Sequence, residues 1–161
     1  MSDAALSEFL SARPCLNADV IFYNRERSAI YLPTRQSKPA EGLWLIGGAI
    51  KAGELPPATL LRRIKAETNL IIAPERLEYL GIFSFFWSYR KEIPASDGRH
   101  DYNFVYALAV TDDELEQATI QLDPVEYGTS RGFTAFNSIE ALGAAQARPC
   151  LIDYYRLLFP E

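Results

Sequence analysis

The sequence is poor in the residues that most often build metal and covalent chemistry. Its 161 residues include one histidine, two cysteines and one methionine. Cys15 and Cys150 lie near opposite ends, lack metal-ligand spacing, and are far in sequence from His100. They read as two reduced, partly buried thiols, and nothing local supports a Cys/His nucleophile pair. No apolar run approaches the roughly 18 residues needed to span a bilayer. The first residues, Met1-Ser2-Asp3, have neither a basic start nor an apolar stretch of signal-peptide length. Positive charge is also short, with 16 Lys and Arg against 21 Asp and Glu, a formal charge of −5. Non-specific binding of duplex nucleic acid through phosphate charge is therefore disfavoured. The expectation is one soluble, cytoplasmic domain over residues 1–161, with neither a nucleic acid nor a membrane as partner.

The elements can be read in outline. A helix is expected from Asp3 to about Ala12, stopped before Pro14. Val20–Tyr23 and Ala29–Leu32 flank the polar turn Asn24-Arg25-Glu26-Arg27 and read as a hairpin. A strand over Leu43–Ile46 precedes Gly47-Gly48, and Pro56-Pro57 opens a helix whose apolar face carries Leu60, Leu61 and Ile64. The stretch from Leu77 to Tyr89 alternates Phe83, Phe85, Trp87 and Tyr89 with Ile82 and Phe86. Bulk on both faces predicts a central strand or a packed interface. Ile93 to Asn103 reads as a long loop, and Phe104 to Val110 as the next strand. Thr111 to Glu114 has the form of a capping box. A strand near Gly132 to Phe136, a Ser138-capped helix from Ile139 to Ala147, and a helix from Leu151 to Phe159 complete the chain. The class is α/β (α+β), with Leu60, Leu61, Ile64, Trp44, Ile82, Phe86 and Val105 expected in the core.

The informative stretch is Gly47-Gly48-Ala49-Ile50-Lys51-Ala52-Gly53-Glu54 and the helix after it. Glycines let a backbone approach a ligand closely, and a helix N-terminus favours an anion. Five residues separate Gly48 from Glu54, and seven separate Glu54 from Arg62, followed by Ile64, Glu67 and Leu70. That spacing resembles the Nudix box, with Gly47, Gly48, Glu54, Arg62 and Glu67 as its matching positions. The resemblance implies a Nudix-type mixed β-sheet sandwiched between α-helices, and a structural tie between Glu54 and Arg62.

The box is degenerate. Arg63, Ala66 and Asn69 stand where the family carries glutamate, glutamate and glycine, and the proline before Gly47 is missing. Acids at positions 63, 66 and 67 would share one helix face and together bind roughly one to three Mg²⁺ ions. Only Glu67 is left. It reads either as a ligand to one Mg²⁺ (Mn²⁺ as the alternative ion), helped by the Gly48 carbonyl, or as the i+4 ion-pair partner of Arg63.

Within the superfamily, Thr34–Trp44 and Leu80–Phe86 resemble segments of GDP-mannose mannosyl hydrolases. This resemblance implies cleavage at the sugar carbon of a nucleoside diphosphate sugar, with one divalent ion and with Arg35 stabilising the leaving nucleotide. Two subfamily features are absent. Ala49 replaces a second arginine, and Thr129-Ser130 fall where the general-base histidine would be. Asp123, Glu126 and His100 are the candidate replacements, and Glu126 is taken into the catalytic set with Arg35 and Glu67. The competing reading is a Nudix-fold nucleotide-binding or regulatory module without catalysis. The aromatic strand and the family likeness also point to a homodimer.

Overall fold

The structure, a computed structural model, describes residues 2–127 and 132–160. Helix α1 (Asp3–Ala12) begins at Ser2, whose hydroxyl accepts from the Ala5 amide at 3.3 Å. It ends where Arg13 turns extended ahead of Pro14. Strands β1 (Cys15–Asn24) and β2 (Ala29–Arg35) make the hairpin. β3 (Gly42–Leu43) pairs with β2, and β4 (Ile46–Ala49) with β1. Helix α2 (Pro56–Thr68) starts on its two prolines and closes at Asn69, which is left-handed with φ 56°. β5 (Leu77–Trp87) and β6 (Arg99–Ala109) are antiparallel. Helix α3 (Asp112–Gln121) carries the capping box of Thr111 and Glu114. The one-turn α4 (Pro124–Tyr127), β7 (Phe133–Phe136), α5 (Ile139–Ala144) and α6 (Pro149–Leu158) follow.

The sheet runs β3-β2-β1-β6-β5, with β4 also on β1 and β7 also on β2. β1 and β6 are parallel while the other pairs are antiparallel, so the sheet is mixed. Alternation along β1 sets the layers, because successive side chains leave opposite faces of a strand. Ala18, Val20 and Phe22 join Leu60 and Ile64 of α2 and Ala118 of α3 in one core. Ile21 and Tyr23 join Leu142 of α5 and Leu151 and Tyr154 of α6 in the other. β6 alternates in step, with Leu108 in the first core and Val105 and Ala107 in the second.

Three expectations need correction. The Leu43–Ile46 strand is split into β3 and β4. Between them the chain crosses from β2 to β1, the Trp44 amide donates to the Pro33 carbonyl at 3.1 Å, and Trp44 and Leu45 are buried. β5 is not central: among the described residues it ends the sheet and pairs only with β6. Phe83, Phe85 and Trp87 pack against the α5/α6 core, whereas Ile82 and Phe86 are 52% and 80% exposed. On that side Phe86 stacks on His100 at 4.1 Å. Leu61 is half-buried, while Leu60, Ile64, Trp44 and Val105 are in the core. Finally, the loop expected up to Asn103 is strand from Arg99 onward. Its polar residues mimic a loop because two of them, Asp101 and Asn103, are buried among partners in a polar interior.

Candidate functional site

One sheet face changes character along its length. The side chains that point toward α5 and α6 are apolar at Ile21, Tyr23, Val105 and Ala107, then polar at Asn17, Asp19, Asp101 and Asn103. The parallel register sets Asn17 beside Asn103, and the Asn17 amide donates to the Asn103 oxygen at 3.2 Å. Asn103 donates in turn to Asp19. Asp101 accepts from the Trp87 indole at 2.9 Å and from Arg99 Nε at 2.5 Å. All four polar side chains are buried, and hydrogen bonds are what make that tolerable. Asp19 is 4% exposed, and burial pushes its carboxyl up to about 7, against the opposing pull of Arg35 and Asn103.

Gly47 is the cross-strand partner of Asp19. A Cβ at position 47 would lie 2.2 Å from Asp19 Oδ1 and 2.3 Å from the Ala18 carbonyl oxygen, so only glycine permits this approach. Beside it, Arg63 reaches from α2 and donates from Nε to the Gly47 carbonyl at 2.8 Å. The other end of that guanidinium meets Glu67 one helical turn on, and lies 3.9 Å from Glu126 Oε2. Glu126 also takes Arg35, which donates to the Ser37 hydroxyl at 2.9 Å. Tyr127 donates its hydroxyl to Glu67. Glu67 is only 5% exposed, and burial pushes its carboxyl up to about 7 despite Arg63 and the Tyr127 hydroxyl. Arg35 Nε is buried without a hydrogen-bond partner among the described residues.

Both networks open on one cavity of about 220 Å³. Its lining carries four cations (Arg35, Lys38, Arg63, Arg99) and two acids (Asp19, Asp101). Gly47, Gly48, Trp44 and Trp87 complete much of the wall. A neighbouring groove of about 360 Å³ shares Lys38, Pro39 and Trp87 and adds Tyr89, over whose ring Lys38 Nζ lies at 5.5 Å.

Glu54 and Arg62 stand apart from the cavity lining. Arg62 grips the carboxylate with two hydrogen bonds of 2.7 Å, and the Thr59 hydroxyl adds a third at 2.8 Å. These bonds, Arg62 first, hold the Glu54 carboxyl down to about 2. The pair braces the turn between β4 and α2, with the Lys51 amide also donating to Glu54 at 3.2 Å.

A family model, described as the NUDIX domain, matches residues 13–153. The chain belongs to the NUDIX family. No curated protein matches the sequence. Solved structures share the NUDIX fold at low identity. The dihydroneopterin triphosphate pyrophosphohydrolase of E. coli has TM-score 0.58 at 14% identity, covering 89% of this chain and 93% of that one. A NUDIX hydrolase from Nitrosomonas europaea has TM-score 0.57 at 17% identity, with 91% and 88% covered. The Ap4A hydrolase of C. elegans has TM-score 0.53 at 17% identity, with 90% and 96% covered.

NUDIX hydrolases generally need divalent ions, usually Mg²⁺. The donor set of this chain does not fit one. Among the described residues no group of three or more His, Cys, Asp or Glu side chains is placed to hold a metal. Gly48 and Glu67, the expected ligands, have Arg63 between them. Its Nε would be 3.1 Å from a Cβ at Gly48, and its far end meets the Glu67 carboxylate.

The remaining candidates divide by position. Arg35, Glu67 and Glu126 are brought together. His100 is on the opposite sheet face, 2.9 Å from the Ser84 hydroxyl, and does not line the cavity. Asp123 caps α4 by accepting from the Val125 amide at 2.8 Å. Thr129 and Ser130 lie outside the described residues. Cys15 and Cys150 are free, and burial pushes both thiols up, Cys150 to about 11, which disfavours a thiolate nucleophile. Sequence reasoning missed Asp19, Asn17, Asn103 and Asp101. Their signal was polar residues at alternate positions of strands otherwise rich in apolar ones.

Proposed function

We propose that this chain hydrolyses a nucleoside diphosphate derivative, with a nucleoside diphosphate sugar of the GDP-mannose type as the first candidate. The observation that carries the reading is the cavity wall: Arg35, Lys38, Arg63 and Arg99 line it, while Glu67 and Glu126, which anchor Arg35 and Arg63, are not part of the lining. An anion of two or more charges is the complement of such a wall, and guanidinium forks match phosphate oxygens. Arg35 and Arg63 would hold the diphosphate, while the groove with Trp87 and Tyr89 offers flat surfaces to the rest of the molecule. Among the structural neighbours, the dihydroneopterin triphosphate pyrophosphohydrolase of E. coli agrees with a phosphate-bearing substrate.

In this reading water attacks the sugar carbon. A new C–O bond forms, and the bond to the diphosphate oxygen breaks with its electron pair leaving on the nucleoside diphosphate. Arg35 and Arg63 stabilise the charge that grows there, an effect that belongs to the transition state. Asp19, which lines the cavity and whose carboxyl burial pushes up to about 7, is the group suited to take the proton from water. Glu126 faces guanidinium groups with both oxygens and serves better as a counter-charge than as a base.

A binding module without catalysis is the second reading, favoured by one contact: Arg63 covers the one box glutamate left on that helix face. Incubation with a panel of nucleotide sugars, with and without Mg²⁺ or Mn²⁺, decides by phosphorus NMR. An intact nucleoside diphosphate among the products supports hydrolysis at carbon. A nucleoside monophosphate indicates attack at phosphorus, and binding without any product sinks the enzyme.

A further inference from the structure

Arg63 occupies a position where the family motif places an acid, yet its guanidinium is drawn inward. It meets three oxygen-bearing groups at once: the Gly47 carbonyl, the Glu67 carboxylate and, at 3.9 Å, the Glu126 carboxylate. A backbone carbonyl and two carboxylates are the donors that a hard divalent cation takes. Here they are used by a planar cation whose charge is fixed and which cannot be chelated away. Arg63 thus already fills the place between these oxygens, and Arg35 holds Glu126 from its other side. A divalent ion at these oxygens would have to expel Arg63 or sit against its like charge.

We propose that Arg63 stands in for the metal of this site, so that the cavity binds a diphosphate group without any divalent cation. The inference rests on the anion-binding reading of the cavity given above. Glu67 and Glu126 then act as the anchors of a guanidinium. Arg63 and Arg35 both line the cavity, and Arg35 Nε has no partner among the described residues, which leaves a buried donor for a phosphate oxygen.

Two measurements on the purified full chain test this apart from any turnover. Mn²⁺ alone is titrated and followed by the electron paramagnetic resonance of the free ion. Inorganic pyrophosphate is titrated calorimetrically in EDTA and again in Mg²⁺. Wild type is expected to take up no stoichiometric Mn²⁺ at submillimolar concentration and to bind pyrophosphate with the same affinity in both buffers. Arg63→Glu is expected to gain a Mn²⁺ site and to bind pyrophosphate only with the metal. Arg63→Gln, of similar size and without charge, is expected to lose metal-free pyrophosphate binding while keeping the circular dichroism of the fold. Stoichiometric Mn²⁺ on wild type, a loss of about tenfold or more in affinity in EDTA, or no pyrophosphate binding in either buffer overturns the proposal. Metal-free pyrophosphate binding without hydrolysis of any nucleotide sugar removes the enzyme reading and supports this one.

Discussion

Asp19 and Gly47 face each other across the β1–β4 ladder, and the Asp19 carboxylate fills the space that a side chain at position 47 would need. Gly47→Ala therefore has no cheap accommodation, since the Ala18 backbone carbonyl blocks the same space. Overpacking of this kind costs roughly 1–3 kcal/mol. The expected outcome is a lower urea midpoint together with loss of pyrophosphate binding. Unchanged binding in a folded Gly47→Ala protein would show that this contact does not shape the cavity.

The two raised carboxyls give stability a definite pH sign. A carboxyl whose folded value exceeds its unfolded one stabilises below the unfolded value and loses that contribution as pH rises through the folded one. For Asp19 the window runs from 3.8 to about 7, and for Glu67 from 4.5 to about 7. Glu54, held at about 2, has the opposite sign and acts only below 4.5. Melting temperature should accordingly fall as pH rises from mildly acidic to neutral and above. Asp19→Asn should flatten much of that slope, a difference at most on the order of 4 kcal/mol at alkaline pH. A wild-type melting temperature that climbs over this window contradicts the assignment.

Arg35 and Glu67 should separate in kinetics. On the hydrolase reading, Arg35→Ala removes charge stabilisation at the departing diphosphate and lowers kcat on the order of 100-fold, with a smaller change in KM. Glu67→Gln instead removes the carboxylate that anchors the Arg63 guanidinium beside the cavity, and a misplaced Arg63 should lower pyrophosphate affinity and kcat together. Steady-state assays with the nucleotide sugar found active in the panel check both, and equal KM-only effects would argue against a role in the transition state.

Glu54→Gln should loosen a loop and leave the cavity alone. The paired hydrogen bonds from Arg62, and those from Thr59 and the Lys51 amide, all end on this carboxylate. Hydrogen exchange by mass spectrometry should rise over residues 49–55, with pyrophosphate affinity unchanged. No rise there means that the turn is held by its backbone alone.

Much of the fold was legible because periodicity and punctuation agree: Pro14 stops α1, the two prolines open α2, and Thr111 with Glu114 caps α3. The tie between Glu54 and Arg62 was implied by the family resemblance and is present as paired hydrogen bonds. Arg63 and Glu67 were readable as an i,i+4 pair, but the Gly47 carbonyl and Glu126 that complete the cluster were not. Asp19 and Asn103 escaped notice because their hydrogen bond joins positions 84 residues apart, and each alone looks like a polar interruption. Ile82 and Phe86 misled for a different reason. Their bulk signals burial, yet they lie on β5 beyond Leu77, where that face leaves the core formed with α2 and α3.

The separation along the chain also bears on when the cavity comes into being. Asn17 meets Asn103 across 86 residues and Arg35 meets Glu126 across 91, while β1 and β6 are joined in parallel. Closing such contacts carries a large loop entropy and gains nothing from local turns, so they are expected in the late, cooperative part of folding. Helices and the β1–β2 hairpin can form earlier without offering an anion any place to bind. A ligand held by these late contacts acts on escape from the native state: it slows unfolding and leaves the rate of folding nearly untouched.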